Sequence, residues 1–115
     1  MHQAATHSKD TIYKAAYIDI PEVEQTYKFI GSRSAGRWGY GMGINEYQVS
    51  VGDNDAPSRD ELGFTASLHD NDVIRLVLER AKTAREGVDI VTGLVSEFGQ
   101  AWNGIMFEIG DPNEL

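Results

Sequence analysis

The first third of the chain alternates between apolar and polar positions with the period of two that is typical of β-strands. One run extends from Ile12 to Ile20, and Pro21, which has no amide hydrogen to donate, predicts its end. A second run extends from Gln25 to Ser32. The short polar segment at 21–24 predicts a hairpin that pairs the two runs.

A glycine-dense segment follows these runs, with five glycines between positions 31 and 43. Glycine at this density permits left-handed backbone conformations and close backbone approaches that a plain linker would not need. After a turn at Asn45-Glu46, the segment Tyr47–Val51 predicts a third strand. The polar segment from Asp53 to Gly63 contains Pro57 and predicts a loop.

The second half of the chain has the apolar period of α-helices. An apolar stripe predicts a helix from Asp70 to Ala81. Thr83 and Glu86 have the spacing of a capping box, which predicts the start of a second helix that ends at the C-cap glycine Gly99. Residues Ile105–Ile109 predict a final strand. The order β-β-β-α-α-β predicts an α+β fold in which an antiparallel sheet carries a packed helix pair.

Length and charge restrict the class of protein. A chain of 115 residues suffices for one domain, and we expect a flexible polar tail at residues 1–10 followed by a single domain at 11–115. The net charge of −8 argues against binding to nucleic acid or to an anionic membrane surface. No apolar run is long enough to span a membrane, and the first ten residues lack the apolar segment of a signal peptide, so the expected compartment is the cytoplasm.

Cysteine is absent from the sequence, and histidine occurs three times. The 115 residues therefore offer no disulfide, no thiolate zinc site and no cysteine nucleophile. We expect neither a metal nor a cofactor.

Two motifs suggest ligands but lack the required context. The glycines of residues Gly39–Gly43 precede a predicted strand, whereas a dinucleotide-binding loop leads directly into a helix. An acidic cluster suggests calcium, but Pro57 and Ser58 stand where an EF-hand loop needs a ligand and a glycine. A solvated acidic loop is the simpler explanation for this cluster, which consists of Asp53, Asp55, Asp60 and Glu61.

Two single residues have chemistry of interest. His69 precedes the first predicted helix, where capping of free amides is a simpler explanation than general-base catalysis. Asn54 follows the third predicted strand, and its side-chain amide is of the type that donates to a developing oxyanion. An ordinary turn asparagine is the simpler alternative for Asn54.

Four segments in order resemble the secernin/dipeptidase A family of N-terminal-nucleophile (Ntn) hydrolases. The matching segments are Tyr17–Tyr27, Trp38–Tyr47, Asp72–Val91 and Phe107–Pro112. The resemblance covers about residues 12–115. It implies a partial layer of a four-layer αββα enzyme that hydrolyses the amide bond of small peptides, using the α-amino group of an N-terminal cysteine as the base.

The resemblance also implies roles for individual residues. Asn54 lies near the position of an oxyanion asparagine in related Ntn hydrolases, with an offset of one residue from the dipeptidase pattern. Four residues would shape the glycine loop, namely Trp38, Tyr40, Met42 and Asn45, and all of them except Met42 would contact substrate. Core packing is the simpler role of Trp38 and of Met42.

The missing cysteine leaves alternatives open. We expect an internal fragment that is inactive alone and needs other segments to act on a small peptide. A non-catalytic assembly or binding module, or one part of a split enzyme, is the alternative, because unpaired sheet edges favour a homo-oligomer or a complementing chain. A third possibility is another Ntn activity, either acyl transfer or a bile-salt-type amidase.

Overall fold

The fold is α+β. The computed structural model describes residues 1–36, 39–56, 66–101 and 104–115 and places eight strands and two helices in those ranges. The strands are β1 (Ala5–Thr6), β2 (Ile12–Lys14), β3 (Asp19–Pro21), β4 (Gln25–Thr26), β5 (Phe29–Ser32), β6 (Met42–Asn45), β7 (Ser50–Asp55) and β8 (Ile105–Gly110). The helices are α1 (Asp70–Arg80) and α2 (Ala84–Phe98).

The central element is a four-stranded antiparallel sheet with the order β5-β6-β7-β8. The two helices pack against one of its faces. Side chains of that face join α1 in a buried core that includes Phe29, Val49, Val51, Ile74, Val77, Leu78 and Ile109. Because neighbouring residues of a strand point to opposite faces, the strand residues next to these core positions, such as those beside Phe29, Val51 and Ile109, face away from the helices.

Both helices begin as the sequence predicts, and α1 ends one residue before its predicted end. The His69 side chain caps α1 by accepting the Asn71 amide hydrogen. The Thr83 hydroxyl accepts the amide hydrogen of Glu86 at 3.1 Å, as in a capping box. The Glu86 carboxylate accepts from the amide of Lys82 at 2.8 Å, one residue before the cap. Gly99 follows α2 with a φ of 78°, a conformation that favours glycine.

The prediction of one strand from Ile12 to Ile20 is wrong, because the segment folds back on itself. β2 pairs with β3, and the amide of Ala15 donates to the carbonyl of Ile18 in the turn between them. Asp72 of α1 is fully buried and accepts hydrogen bonds from the Tyr13 hydroxyl and from the Ala16 amide, both at 2.9 Å. A buried acceptor that is distant in sequence thus holds this turn.

The predicted hairpin across residues 21–24 is also wrong. The strand β5 pairs with β6, which arises from the glycine-dense segment, and Gly31 lies opposite Gly43. A Cβ atom at Gly43 would lie 2.6 Å from the carbonyl oxygen of Ile30 and 2.7 Å from a methyl carbon of Leu78. Glycine is therefore required at position 43 for the sheet to approach α1.

Residues 1–10, which the sequence predicts to be a loose tail, contact the rest of the chain through both backbone and side chains. β1 pairs with β4, and the backbone of His2 exchanges two hydrogen bonds with that of Phe29. The rings of these two residues stack with centroids 4.8 Å apart. This segment therefore extends the pairing along the edge that residues 25–29 provide.

The third strand begins later than predicted. Residues 46–49 form the turn, in which Gln48 has a φ of 65°, and β7 runs from Ser50 to Asp55. Residues 53–55, predicted as loop, are strand because β8 pairs with β7 over six residue pairs. Neither described helix is long and apolar enough to cross a membrane.

Candidate functional site

The face of the four-stranded sheet that points away from the helices carries exposed apolar side chains beside two polar ones. We call it the open face and define it by Ile30, Met42, Ile44, Asn54, Met106 and Glu108. Its four apolar members are 45–60 % exposed, although each lies inside a strand. A depression of about 570 Å³ lies on this face, and Gly52 and Gly110 form part of its floor.

Two polar side chains meet at one side of the open face. Asn54 of β7 donates from Nδ2 to Oε1 of Glu108 on β8 at 2.7 Å. Glu108 is the register partner of Gly52, so its side chain leans diagonally across the strand pair to reach Asn54. Both residues are exposed. An amide Nδ2 carries two hydrogens, and the second one has no acceptor among the described residues.

Asn45 lies at the other end of the sheet and is buried. Its Nδ2 donates to the carbonyls of Leu78 and Ala81, at 3.0 and 2.6 Å. Its Oδ1 accepts from the amides of Tyr47 and Val49, at 3.0 and 3.1 Å. All four hydrogen-bonding positions of the side chain are thus used by backbone groups. Asn45 ties the β6–β7 turn to the end of α1.

Tyr40 lies on the helix side of the sheet. Its ring packs edge-on against Phe29 with centroids 4.9 Å apart, and its amide donates to the carbonyl of Asn71. Gly39, with a φ of 79°, lies so close to Asn71 that any Cβ would collide. Met42, for which core packing was the simpler expectation, is 60 % exposed on the open face. Trp38 lies outside the described residues.

A carboxyl pair connects β7 to the start of α1 on the helix side. Burial, a hydrogen bond to Asp70 and the negative charges of Asp70 and Asp55 raise the pKa of Asp53 to about 7. An oxygen of Asp70 also lies 2.6 Å from Nδ1 of His69. His69 acts as the helix cap, as the sequence predicts. In the described ranges, no three histidine or carboxylate side chains are arranged to hold a metal ion.

The structure therefore separates the residues that the sequence singled out. Asn54 faces the open side, whereas Tyr40 and Asn45 contact the helix side. Asn54 lies five residues beyond Val49 of the β6–β7 turn, roughly 17 Å along the strand at about 3.4 Å per residue. Sequence reasoning missed Glu108; a charged position inside the apolar run of Ile105–Ile109 was the available signal.

Comparison with known protein families identifies the family of the chain. Residues 8–115 match the model of Peptidase family C69. The chain belongs to this peptidase family. The family contains dipeptidase A and the secernin-like Ntn hydrolases, so the resemblance found in the sequence is confirmed. The match spans both helices and the whole four-stranded sheet, and thus includes the open face.

Proposed function

We propose that this chain forms the substrate-binding sheet of a dipeptide hydrolase and that Asn54 donates a hydrogen bond to the scissile carbonyl oxygen. The observation that carries the proposal is the Asn54 amide, which stands on the open face with one hydrogen held by Glu108 and the other directed away from that bond. An amide fixed in this way can stabilise the oxyanion of a tetrahedral intermediate without reorganising.

The cysteine nucleophile that the resemblance implies is not among these 115 residues, so the proposal takes the attacking group from another segment. The apolar members of the open face support the association of such a segment. Side chains such as Met42 and Met106 are more than half exposed here, and an apolar surface of this kind marks an interaction site. We infer that the chain alone binds dipeptides and does not hydrolyse them.

Binding of a tetrahedral analogue tests the role of Asn54. The probe is an alanyl-alanine analogue in which a phosphinate replaces the scissile amide, and its affinity is compared with that of alanyl-alanine by calorimetry. An oxyanion donor binds the anionic tetrahedral group more tightly than the planar amide. We expect Asn54→Ala to remove this difference, while Asn113→Ala, a change at an exposed asparagine near the C-terminus, preserves it.

Two results would contradict the proposal. The first is equal binding of the phosphinate by the native chain and by Asn54→Ala. The second is release of alanine from alanyl-alanine by the purified chain at a rate that Asn54→Ala leaves unchanged, because the reacting centre would then lie elsewhere.

The alternative, an association module without catalysis, is favoured by the same open face. Sedimentation velocity separates the two functions. A sedimentation coefficient that rises with protein concentration, together with no binding of either ligand, would favour the module. A concentration-independent monomer that binds the phosphinate supports the hydrolase.

A further inference from the structure

The carboxylate of Glu108 has no charged partner in the described ranges. None of the ion pairs found there includes it. Its one polar contact is the amide of Asn54, which occupies Oε1 and leaves Oε2 without a described donor. A carboxylate beside exposed apolar side chains, at the edge of the depression on the open face, is suited to a cationic ligand.

We propose that Glu108 binds the free α-ammonium group of the substrate and thereby makes the site prefer peptides with a free N-terminus, which are cleaved after their first residue. The proposal rests on the proposed function, because it takes Asn54 as the donor to the scissile carbonyl. It assigns a specificity-determining residue to that site.

Backbone dimensions support the pairing of these two groups. Within one residue, the nitrogen and the carbonyl oxygen lie roughly 3 Å apart when the bonds have standard lengths. In a dipeptide the scissile carbonyl belongs to the first residue, so its oxygen lies about this far from the α-ammonium nitrogen. Nδ2 of Asn54 lies 2.7 Å from Oε1 of Glu108, and Oε2, which is bonded to the same carboxyl carbon, is the oxygen left for the ammonium group. One side chain can thus hold the carbonyl while the other holds the ammonium.

Electrostatics make the same discrimination. A carboxylate next to a developing oxyanion opposes the reaction through like-charge repulsion. An α-ammonium group between the two negative charges reverses this effect, because it is attracted to both. The amide nitrogen of an internal or acetylated peptide is neutral and offers no such compensation. Glu108 therefore favours a free N-terminus and disfavours a blocked one.

The affinities of alanyl-alanine and N-acetyl-alanyl-alanine, measured by calorimetry at pH 7, test the inference. An exposed ion pair with hydrogen bonds predicts roughly fivefold tighter binding of the free peptide by the native chain. Glu108→Gln keeps an acceptor for Asn54 and removes the charge. We expect this variant to bind both peptides equally, with its affinity for the acetylated peptide unchanged or improved.

The pH dependence supplies a readout that a merely structural contact would not move. The α-amino group of a peptide has a pKa of about 7.7–8.0 and loses its proton in this range. The preference of the native chain for the free peptide should therefore decline between pH 7 and pH 9, whereas Glu108→Gln should show no preference at either pH. A circular dichroism spectrum and an unfolding temperature equal to those of the native chain would show that the variant is folded.

The outcomes separate this inference from the proposed function. A preference for the free peptide that persists in Glu108→Gln overturns the role of Glu108, even if Asn54→Ala weakens the binding of the phosphinate. Loss of the preference in Glu108→Gln together with unchanged phosphinate binding by Asn54→Ala supports the ammonium site and refutes Asn54 as the oxyanion donor. Failure of the native chain to bind either peptide refutes both.

Discussion

Replacement of Asn45 by alanine should be among the most destabilising single changes in this chain. The side chain is 5 % exposed and makes four hydrogen bonds, two to carbonyls at the end of α1 and two to amides of the β6–β7 turn. Truncation leaves these backbone groups without their partner in the protein interior. Buried polar groups that lose a partner retain the cost of their desolvation.

The magnitude follows from the number of bonds. At a net value of about 1 kcal/mol for each bond, Asn45→Ala should lower the free energy of unfolding by about 4 kcal/mol. This is a large part of the roughly 5–15 kcal/mol that stabilises a domain. In a chain of this length it corresponds to a fall in the unfolding temperature of about 15 °C, at about 4 °C per kcal/mol.

Asn45→Asp gives a second and more diagnostic result. It keeps an acceptor for the turn amides but places an oxygen where Nδ2 faces the carbonyls of Leu78 and Ala81, at 3.0 and 2.6 Å. Repulsion between these oxygens should destabilise the variant at pH 7. Protonation of the new carboxyl restores a donor, so the defect should diminish as the pH falls.

Urea denaturation followed by circular dichroism measures these changes, and Asn113→Ala serves as the control. Because Asn113 is exposed, its replacement should alter the free energy of unfolding by less than about 0.5 kcal/mol. If Asn45→Ala falls within the same limit as the control, Asn45 does not connect α1 to the sheet and the reasoning is refuted.

Three further predictions concern packing and charge. Gly87→Ala should lower the free energy of unfolding by about 1–2 kcal/mol, because a Cβ there would lie 2.9 Å from a methyl carbon of Ile109. Gly93→Ala has open space around it and should raise the free energy of unfolding by about 0.5–1 kcal/mol; urea titrations measure both changes, and stabilisation by both would contradict the packing of α2. The free energy of unfolding should fall as the pH rises from about 4 to about 7, because Asp53 keeps its proton in the native state up to about pH 7 while the unfolded carboxyl has lost it. Asp53→Asn should flatten this pH dependence. An unchanged slope of the free energy of unfolding against pH would count against the carboxyl pair. Hydrogen bonds from three backbone amides, including that of Ala84, lower the pKa of Asp111, so Asp111→Ala should reduce the unfolding temperature at pH 7. This difference from the native chain should disappear as the pH falls through the lowered pKa. An equal difference at pH 7 and below that pKa would argue against a charged cap on α2.

The helices were predictable because their determinants are local. The apolar stripe, the capping threonine Thr83 and the C-cap glycine Gly99 all lie within or beside the element that they define. A pattern with a period of 3.6 residues fixes both the type of element and the face that it buries. The structure confirms α1 within one residue of its predicted end.

The pairing of the strands was not predictable from local patterns. Alternation over residues 12–20 fits one long strand as well as two short strands joined by a turn, because both have a period of two. The choice depends on Asp72, which lies 56 positions beyond the Ala16 amide that it binds. Similarly, the glycines of β6 indicated that another segment approaches closely, but not which one. The structure shows that the approaching side chain at Gly43 is Leu78 of α1.

The candidate site shows the same division. The sequence identified Asn54 by residue type and resemblance, although it placed this residue in a loop. Glu108 gains its interest only from the register of β8 against β7, which brings its carboxylate to the Asn54 amide. Asn45 was grouped with the site because it adjoins the glycine segment, yet its bonds connect the turn to α1.

The most direct test of the account is to map where a dipeptide binds. Titration of alanyl-alanine into the isotopically labelled chain, followed by NMR, should shift the side-chain amide signals of Asn54 and the methyl signals of Met42 and Met106, with the backbone signal of Gly52. Signals from the helix side, such as that of Gly87, should remain in place. Shifts confined to the helix side, with the Asn54 amide unchanged at saturating dipeptide, would contradict the claim that the open face of the sheet binds the substrate.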